Sequence, residues 1–103
     1  MIGGNPSDLA ELIDDFVAAL PGQVQALHDH AGNGDLGALR IAAHSCKSNA
    51  RDLGATRLAD LCARLETECA AGEVTELPAQ LARIAEAGEA ALSGYSKLDL
   101  FRV

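Results

Sequence analysis

The chain has 103 residues, 49% of them hydrophobic but only 3% aromatic, so a single domain must build its core mainly from Leu and Ala on closely packed helices. Its formal net charge of −7, from 15 acidic and 8 basic residues, disfavours nucleic-acid binding because that requires a basic surface. The sequence has no alternating β-branched run of strand length, no signal peptide and no bilayer-spanning apolar run, which argues against a sheet and against a membrane-spanning segment.

Apolar periodicity predicts an N-terminal helix in addition to the four main helices of the fold. Residues 1–6 form a flexible start, and Ser7 is a good N-cap for a first helix that runs to about Leu20. Pro21 breaks or kinks the chain and suits the first turn of a second helix. That helix ends in the Gly-Asn-Gly sequence at residues 32–34, which is a strong stop signal.

Three further helices follow, separated by short glycine-containing turns. The third covers residues 35–54 and ends at Gly54, which is predicted to adopt a left-handed C′ conformation. The fourth covers residues 55–71, and the last covers residues 75–97 and leaves residues 98–103 as a tail. The predicted fold is therefore all-α: an antiparallel up-down four-helix bundle with an additional N-terminal helix, with the whole chain in one domain.

The third helix carries a histidine on its exposed side. Its predicted core residues recur at three- and four-residue spacing and are Leu39, Ala43, Cys46, Ala50 and Leu53. His44 lies roughly 150° from the centre of that face, so it points to solvent. The residues predicted to surround it on the exposed side are Arg40, Lys47, Ser48 and Arg51. An exposed histidine among cations in an acidic chain indicates chemistry with an anion.

The stretch from Ala42 to Glu66 resembles the histidine-containing phosphotransfer (HPt) domain of bacterial and fungal phosphorelays. The positions that match the family pattern in register are Ala43, His44, Lys47, Leu53, Gly54, Ala55, Leu58, Ala59, Leu61, Cys62, Leu65 and Glu66. The chain departs from the pattern at Ser48, because the family usually has Gly directly after the lysine. The resemblance implies a phosphorelay intermediate that accepts a phosphoryl group on His44 and exchanges it with the Asp of a response-regulator receiver domain.

The residue types around His44 suit this chemistry. Imidazole is largely neutral near pH 7 and is then a good nucleophile. Phosphoryl transfer depends mainly on positioning and on charge stabilisation. Lys47, one helical turn on, can place its ammonium beside the phosphoryl oxygens, and Arg40 and Arg51 add positive charge from the same side. Both arginines also remain open to interpretation as ordinary solvated residues.

No nucleotide motif, Gly-rich phosphate loop or carboxylate cluster for Mg²⁺ near His44 occurs in the sequence. We therefore expect a phosphotransfer domain that has no ATP site and no cofactor of its own. The resemblance implies that a receiver domain supplies both the acceptor Asp and Mg²⁺, and that a sensor histidine kinase, including a hybrid one, is the second partner. We expect a monomer.

Two further residues near His44 each have two interpretations. Glu66 is nearly level with His44 if the two helices are antiparallel, so it can accept a hydrogen bond from the imidazole; it can equally be an ordinary solvated glutamate. Ile41 lies on the exposed side, where it is either part of a docking patch or a lone surface apolar residue.

The three cysteines, Cys46, Cys62 and Cys69, occupy apolar helical positions and are expected to be reduced core thiols, not zinc ligands. Reduced thiols predict a cytoplasmic location, which includes the cytoplasmic C-terminal domain of a membrane-anchored hybrid kinase.

The alternative function is a binding module with the HPt fold that docks a receiver or another regulatory partner without efficient transfer. Ser48 keeps this alternative open, because its hydroxymethyl group occupies space that a glycine leaves for the partner.

Overall fold

A computed structural model describes the backbone of residues 6–52 and 54–100, together with the side chains of residues 14, 15, 17–52 and 54–94. Over this part of the chain the fold is all-α, as predicted, with no strand. Its four helices are α1 (Pro6–Gly32), α2 (Leu36–Asp52), α3 (Thr56–Ala71) and α4 (Leu77–Leu100). None of the helices in these residues combines the length and the apolar character needed to cross a bilayer.

The additional N-terminal helix is not confirmed, because α1 continues through Pro21. A proline inside a helix removes one backbone hydrogen bond and costs about 3 kcal/mol or more. Leu20 and Leu27, on either side of that point, are both fully buried in the same core. Burial of apolar side chains before and after the proline offsets the local cost, so one continuous helix forms where the sequence predicted two.

The predicted ends of the chain agree only in part with the structure. Of the predicted flexible start, residues 1–5 lie outside the described residues and Pro6 is already the first residue of α1. Helix α4 extends to Leu100, three residues beyond the predicted end, so half of the predicted tail is helical. Residues 101–103 lie outside the described residues.

The core lies between all four helices. Each helix packs against its neighbours in sequence, and α1 and α4 also pack against each other to close the bundle. Its fully or almost fully buried apolar residues are Leu20, Leu27, Leu39, Ala43, Cys46, Ala50, Leu58, Ala59, Cys62, Leu65, Cys69, Leu81, Ile84 and Ala87. The predicted core face of the histidine-bearing helix is confirmed, except for Leu53, which lies outside the described residues.

The turn between α2 and α3 is short and depends on a glycine. Gly54 has a φ of 77°, in the left-handed region, as the sequence predicted. The Ala55 N–H donates to the Ala50 carbonyl oxygen at 2.8 Å, which closes the end of α2. This turn reverses the chain within a few residues, so α3 runs back along α2 and brings distant parts of the sequence level with each other.

A glutamate at the end of α3 joins that helix to the start of α4. One oxygen of Glu68 accepts hydrogen bonds from the Thr75 N–H at 2.8 Å and from the Gln80 side-chain amide at 3.0 Å. The other oxygen accepts from the Arg64 Nε–H at 3.0 Å. The hydrogen bond from the Thr75 backbone is the main cause that lowers the pKa of Glu68 to about 2. The sequence did not predict this network, because Glu68 and Gln80 are twelve residues apart.

The lowered pKa of Glu68 predicts a pH dependence of stability. Because the folded-state pKa is below the ordinary value of 4.5, the carboxylate stabilises the fold above that value, and this contribution is lost as the pH falls toward about 2. Glu68→Gln should therefore lower the melting temperature at neutral pH, and the gap to wild type should narrow as the pH falls through that range. Melting followed by circular dichroism tests this prediction.

Glu73→Gln is the matched control for that experiment. It removes the same charge from an exposed residue directly after the C-cap of the same helix. A gap between wild type and Glu68→Gln that stayed constant with pH, or an equal effect of Glu73→Gln, would contradict the prediction.

Candidate functional site

Helix α2 presents His44 to solvent. The residue before it, Ala43, is fully buried, and so is Cys46 on the next turn, so the helical period turns His44 away from the core. The His44 side chain is 59% exposed, which confirms the predicted orientation. An imidazole in this position can be reached by a protein partner.

Glu66 from α3 contacts the imidazole. It lies at the edge of the α3 core face, directly after the buried Leu65, and its Oε2 lies 2.9 Å from His44 Nδ1. An ionised carboxylate can only accept a hydrogen bond, so Nδ1 must carry the proton and donate it. The lone pair of the neutral ring is then on Nε2. The sequence left Glu66 between two interpretations, and the structure shows the contact with His44.

The same carboxylate binds Lys47. Lys47 Nζ lies 2.5 Å from Glu66 Oε1, so each oxygen of Glu66 contacts one α2 side chain. The Lys47 contact is the main cause that lowers the pKa of Glu66, and the hydrogen bond with His44 lowers it further. Glu66 is therefore ionised at neutral pH.

The position of Lys47 differs from the sequence prediction. The helical wheel placed it on the exposed side, but its side chain is only 15% exposed. A lysine has a long apolar stem that can lie along a neighbouring helix while its ammonium reaches a partner. The ion pair with Glu66 across the α2–α3 interface accounts for this covered position.

A concave surface beside His44 has a volume of about 330 Å³ and combines cationic, apolar and hydroxyl groups. Its lining residues are Arg40, Ile41, His44, Ser45 and Glu66. Ile41 is 65% exposed, which is unusual for a large apolar side chain. Ser45 was not among the predicted site residues, although its place directly after His44 indicates a position near the imidazole.

Two of the predicted site residues lie away from this concave surface. Arg51 is exposed two turns further along α2, and Ser48 is half-buried. Neither lines the surface beside His44. The structure therefore brings His44, Glu66, Lys47, Arg40 and Ile41 together, whereas Ser48 and Arg51 extend the same side of α2.

The cysteines take no part in this surface. Cys46, Cys62 and Cys69 are free and buried, in agreement with the predicted core thiols. A hydrogen bond with Cys46 raises the pKa of the Cys62 thiol, and burial raises it further. Within the described residues, no three His, Cys, Asp or Glu side chains converge as a possible metal site.

An exposed imidazole with one nitrogen held by a carboxylate, on a helical bundle with cations beside it, is an arrangement that suits a histidine nucleophile acting on an anion. Comparison with known proteins agrees with this description. The Hpt domain family matches residues 11–94 of the chain. A search of curated proteins finds no match.

A solved structure with the same fold is the crystal structure of histidine-containing phosphotransfer protein B (HptB) from Pseudomonas aeruginosa PAO1. It is similar to this chain at 30% sequence identity with a TM-score of 0.80, over 84% of this chain and 75% of that one. The chain belongs to the Hpt domain family. It is a phosphorelay intermediate that exchanges phosphoryl groups with response regulators, and members of this family have no kinase ATP site of their own.

The contact between Lys47 and Glu66 predicts a measurable change in titration. Lys47→Ala removes the group that lowers the pKa of Glu66 most, so the pKa of Glu66 should rise toward its ordinary value of 4.5. Carbon-13 NMR of the glutamate side-chain carboxyls as a function of pH tests this. Arg57→Ala, which removes an exposed cation from the first turn of α3, is the control and should leave Glu66 unchanged. An unshifted Glu66 titration in Lys47→Ala would show that the ion pair does not form in solution.

Proposed function

We propose that His44 is the residue that carries the phosphoryl group. The observation that carries this proposal is the 2.9 Å contact between His44 Nδ1 and Glu66 Oε2 on an imidazole that is otherwise exposed. A proton held on Nδ1 keeps the lone pair on Nε2, the nitrogen that is left to attack phosphorus. A histidine without such a partner divides its neutral form between two tautomers, and only one of them has the nucleophile on Nε2.

The proposed reaction is an in-line displacement at phosphorus. The Nε2 lone pair of His44 forms a P–N bond while the bond from phosphorus to the donor group breaks. In the forward relay, an Asp oxygen of a receiver domain attacks the same phosphorus, and the P–N electron pair returns to Nε2. Both steps need the phosphoryl group to be held in line with the attacking and leaving atoms.

The cations near His44 are proposed to stabilise the phosphoryl oxygens. Arg40 lines the same concave surface as His44. Lys47 lies close to the imidazole, because both side chains contact the Glu66 carboxylate. A phosphoryl dianion on Nε2 competes with Glu66 for the Lys47 ammonium, because it is the more highly charged anion. Arg51, two turns along the exposed side, adds to the positive field that a receiver meets.

We propose that a receiver domain docks on the concave surface next to His44. Ile41 is the most exposed large apolar residue of the described chain and lies on that surface. Burial of such a side chain at the centre of an interface contributes to affinity, while Arg40 at its side favours an acidic partner. In this proposal the receiver also supplies Mg²⁺, because phosphoryl transfer needs more positive charge than these side chains provide.

The upstream partner is proposed to be a sensor histidine kinase. The chain then works either as a separate protein or as the cytoplasmic C-terminal domain of a membrane-anchored hybrid kinase, in both cases as one domain and as a monomer. The chain itself is proposed to bind no cofactor. These proposals rest on membership of the Hpt family, whose members interact with receivers and kinases.

Ser48 supports a second candidate function, a module that docks receivers without efficient transfer. The residue is half-buried on the helix that carries His44, where the family usually has Gly. Ser48 lies beyond the concave surface, so in this second proposal its side chain obstructs a receiver that also covers the next turn of α2. Phosphoryl transfer to a receiver separates the two functions, because a docking module binds the receiver but does not pass on the phosphoryl group.

His44→Gln tests the assignment of the phosphoacceptor. The side chain is exposed, so the variant should fold normally, and it should lose all acid-labile phosphorylation because glutamine has no nucleophilic ring nitrogen. The measurement is incorporation of radioactive phosphate from a phosphorylated receiver domain with Mg²⁺. His28→Gln, a change at an exposed histidine of α1, is the control and should keep labelling at the wild-type level. Undiminished labelling of His44→Gln would place the phosphoryl group elsewhere.

Ser48→Gly tests whether the side chain at that position obstructs the receiver. We expect a faster transfer to a receiver and a stability loss of less than about 1 kcal/mol, because Gly inside a helix costs roughly 0.5–1 kcal/mol relative to Ala and Ser is already less favourable than Ala. Ser48→Ala is the companion variant, since it removes the hydroxyl but keeps Cβ. A fall in transfer rate in both variants would instead make the hydroxyl a favourable contact with the partner.

A further inference from the structure

The seam between α1 and α4 forms a groove that is separate from the surface beside His44. One concave surface, of about 360 Å³, begins at Leu20 on α1 and ends at His28. A second, of about 460 Å³, continues from His28 to Gly32 beside the start of α4. Because His28 lines both surfaces, they join into one groove. The groove belongs to α1 and α4, whereas the surface beside His44 belongs to α2 and α3.

The groove has the length and the apolar lining that suit a helix. From Leu20 to Gly32 its α1 side is about 18 Å long, at 1.5 Å per residue. Most of its lining is apolar, and α4 contributes two small residues, Ala85 and Gly88, which leave the seam open. An amphipathic helix places its apolar face in a groove of this kind, with anchor side chains one and two turns apart. A compact small molecule would fill only one of the two concave surfaces.

The polar side chains at the rim of the groove present hydrogen-bond acceptors. His28 Nδ1 lies 3.0 Å from the Val24 carbonyl oxygen, so Nδ1 donates and Nε2 of the neutral ring is left to accept. Gln25 Nε2 donates to Asp29 Oδ1 at 2.9 Å, which leaves Gln25 Oε1 to accept. The third polar residue of the rim is Glu89, whose carboxylate also accepts. The groove is therefore suited to a partner that supplies donors.

The charges on this side of the bundle favour a cationic partner. Helix α1 contains several acidic residues and no Lys or Arg. Of the described residues that line the groove, none is Lys or Arg, and Arg83 of α4 is exposed outside it. The surface beside His44 has the opposite character, because Arg40 lines it and Lys47 lies close to it. An apolar floor with an acceptor-rich, acidic rim complements an apolar helix face that is bordered by Lys or Arg.

We propose that the α1–α4 groove binds a basic amphipathic helix of a protein partner. Apolar side chains of that helix enter the two concave surfaces, and its Lys or Arg side chains contact Gln25, His28 and Glu89. The partner holds the chain while the imidazole of His44 stays open to a receiver, because the two surfaces belong to different pairs of helices. The proposal does not depend on which residue carries the phosphoryl group.

A synthetic amphipathic peptide tests the proposal on the full chain. The peptide has roughly fifteen residues, with Leu on one face and Lys on the other, and is about 22 Å long as a helix. It is titrated into nitrogen-15-labelled protein at about pH 8, where imidazole is largely neutral. We expect saturable shifts of the amides of residues 20–32 and 77–92. A scrambled peptide of the same composition, with Leu spread around the helix, should bind roughly tenfold more weakly because it lacks an anchor face.

Two pairs of variants distinguish the groove from general attraction to an acidic protein. Ala85→Phe fills the groove and should weaken binding roughly tenfold or more, whereas Ala82→Phe adds the same side chain at an exposed position outside it and should bind like wild type. Glu89→Gln removes the rim charge and should weaken binding about two- to fivefold, as expected for an exposed ion pair. Glu86→Gln, an equal change at an exposed residue outside the groove, should have no effect.

Several outcomes would overturn the proposal. These are equal binding of the two peptides, equal effects of Glu89→Gln and Glu86→Gln, and shifts centred on α2 around His44. Shifts of the groove amides that depend on protein concentration without peptide would make the groove an interface between two copies, which also overturns it. If Ala85→Phe does not fold, as judged by circular dichroism, the scrambled peptide and the glutamate variants still decide the question.

Discussion

Close packing of α2 against α3 positions every group of the site. Both helices bury small residues beside their leucines, namely Ala43, Cys46 and Ala50 on α2 and Ala59 and Cys62 on α3. Small side chains allow two helix backbones to approach closely, and a close interface leaves little freedom for one helix to rotate about its axis. Cys46 and Cys62 are free thiols buried within this interface. The rotation of α2 relative to α3 places Glu66 at hydrogen-bonding distance from His44.

The electrostatics of the site depend on one carboxylate that two α2 side chains share. The chain as a whole is acidic, with a net charge of −7, yet the side of α2 around His44 carries cations. Glu66 is an acidic residue within this cationic region. Its charge is partly neutralised by the Lys47 ammonium, and its other oxygen accepts the hydrogen bond from His44. The Lys47 ammonium therefore reduces the repulsion that the Glu66 carboxylate exerts on an anion that approaches His44.

Local sequence rules and tertiary packing disagree at two places in the chain. Pro21 is a valid signal for a helix boundary, but the signal describes only the backbone within one turn, and the burial of Leu20 and Leu27 extends beyond that turn. The i,i+4 spacing of Arg64 and Glu68 is a local signal, but the contacts of Glu68 beyond α3 have none. Its hydrogen bonds reach Thr75 and Gln80 across the connection to α4, so they exist only after α3 and α4 have packed.

The sequence by itself determined the features that depend on helical periodicity and local backbone conformation. The outward direction of His44 follows from the buried residues on either side of it, and the left-handed Gly54 sets the turn that makes His44 and Glu66 level. Tertiary structure decided the features that depend on which atoms meet across helices. The covered position of Lys47, the place of Ser45 on the concave surface and the continuity of α1 belong to this group. A helical wheel gives the direction of a side chain from its own axis, but not the distance to a neighbouring helix, and a flexible lysine is placed by the partner that its ammonium finds.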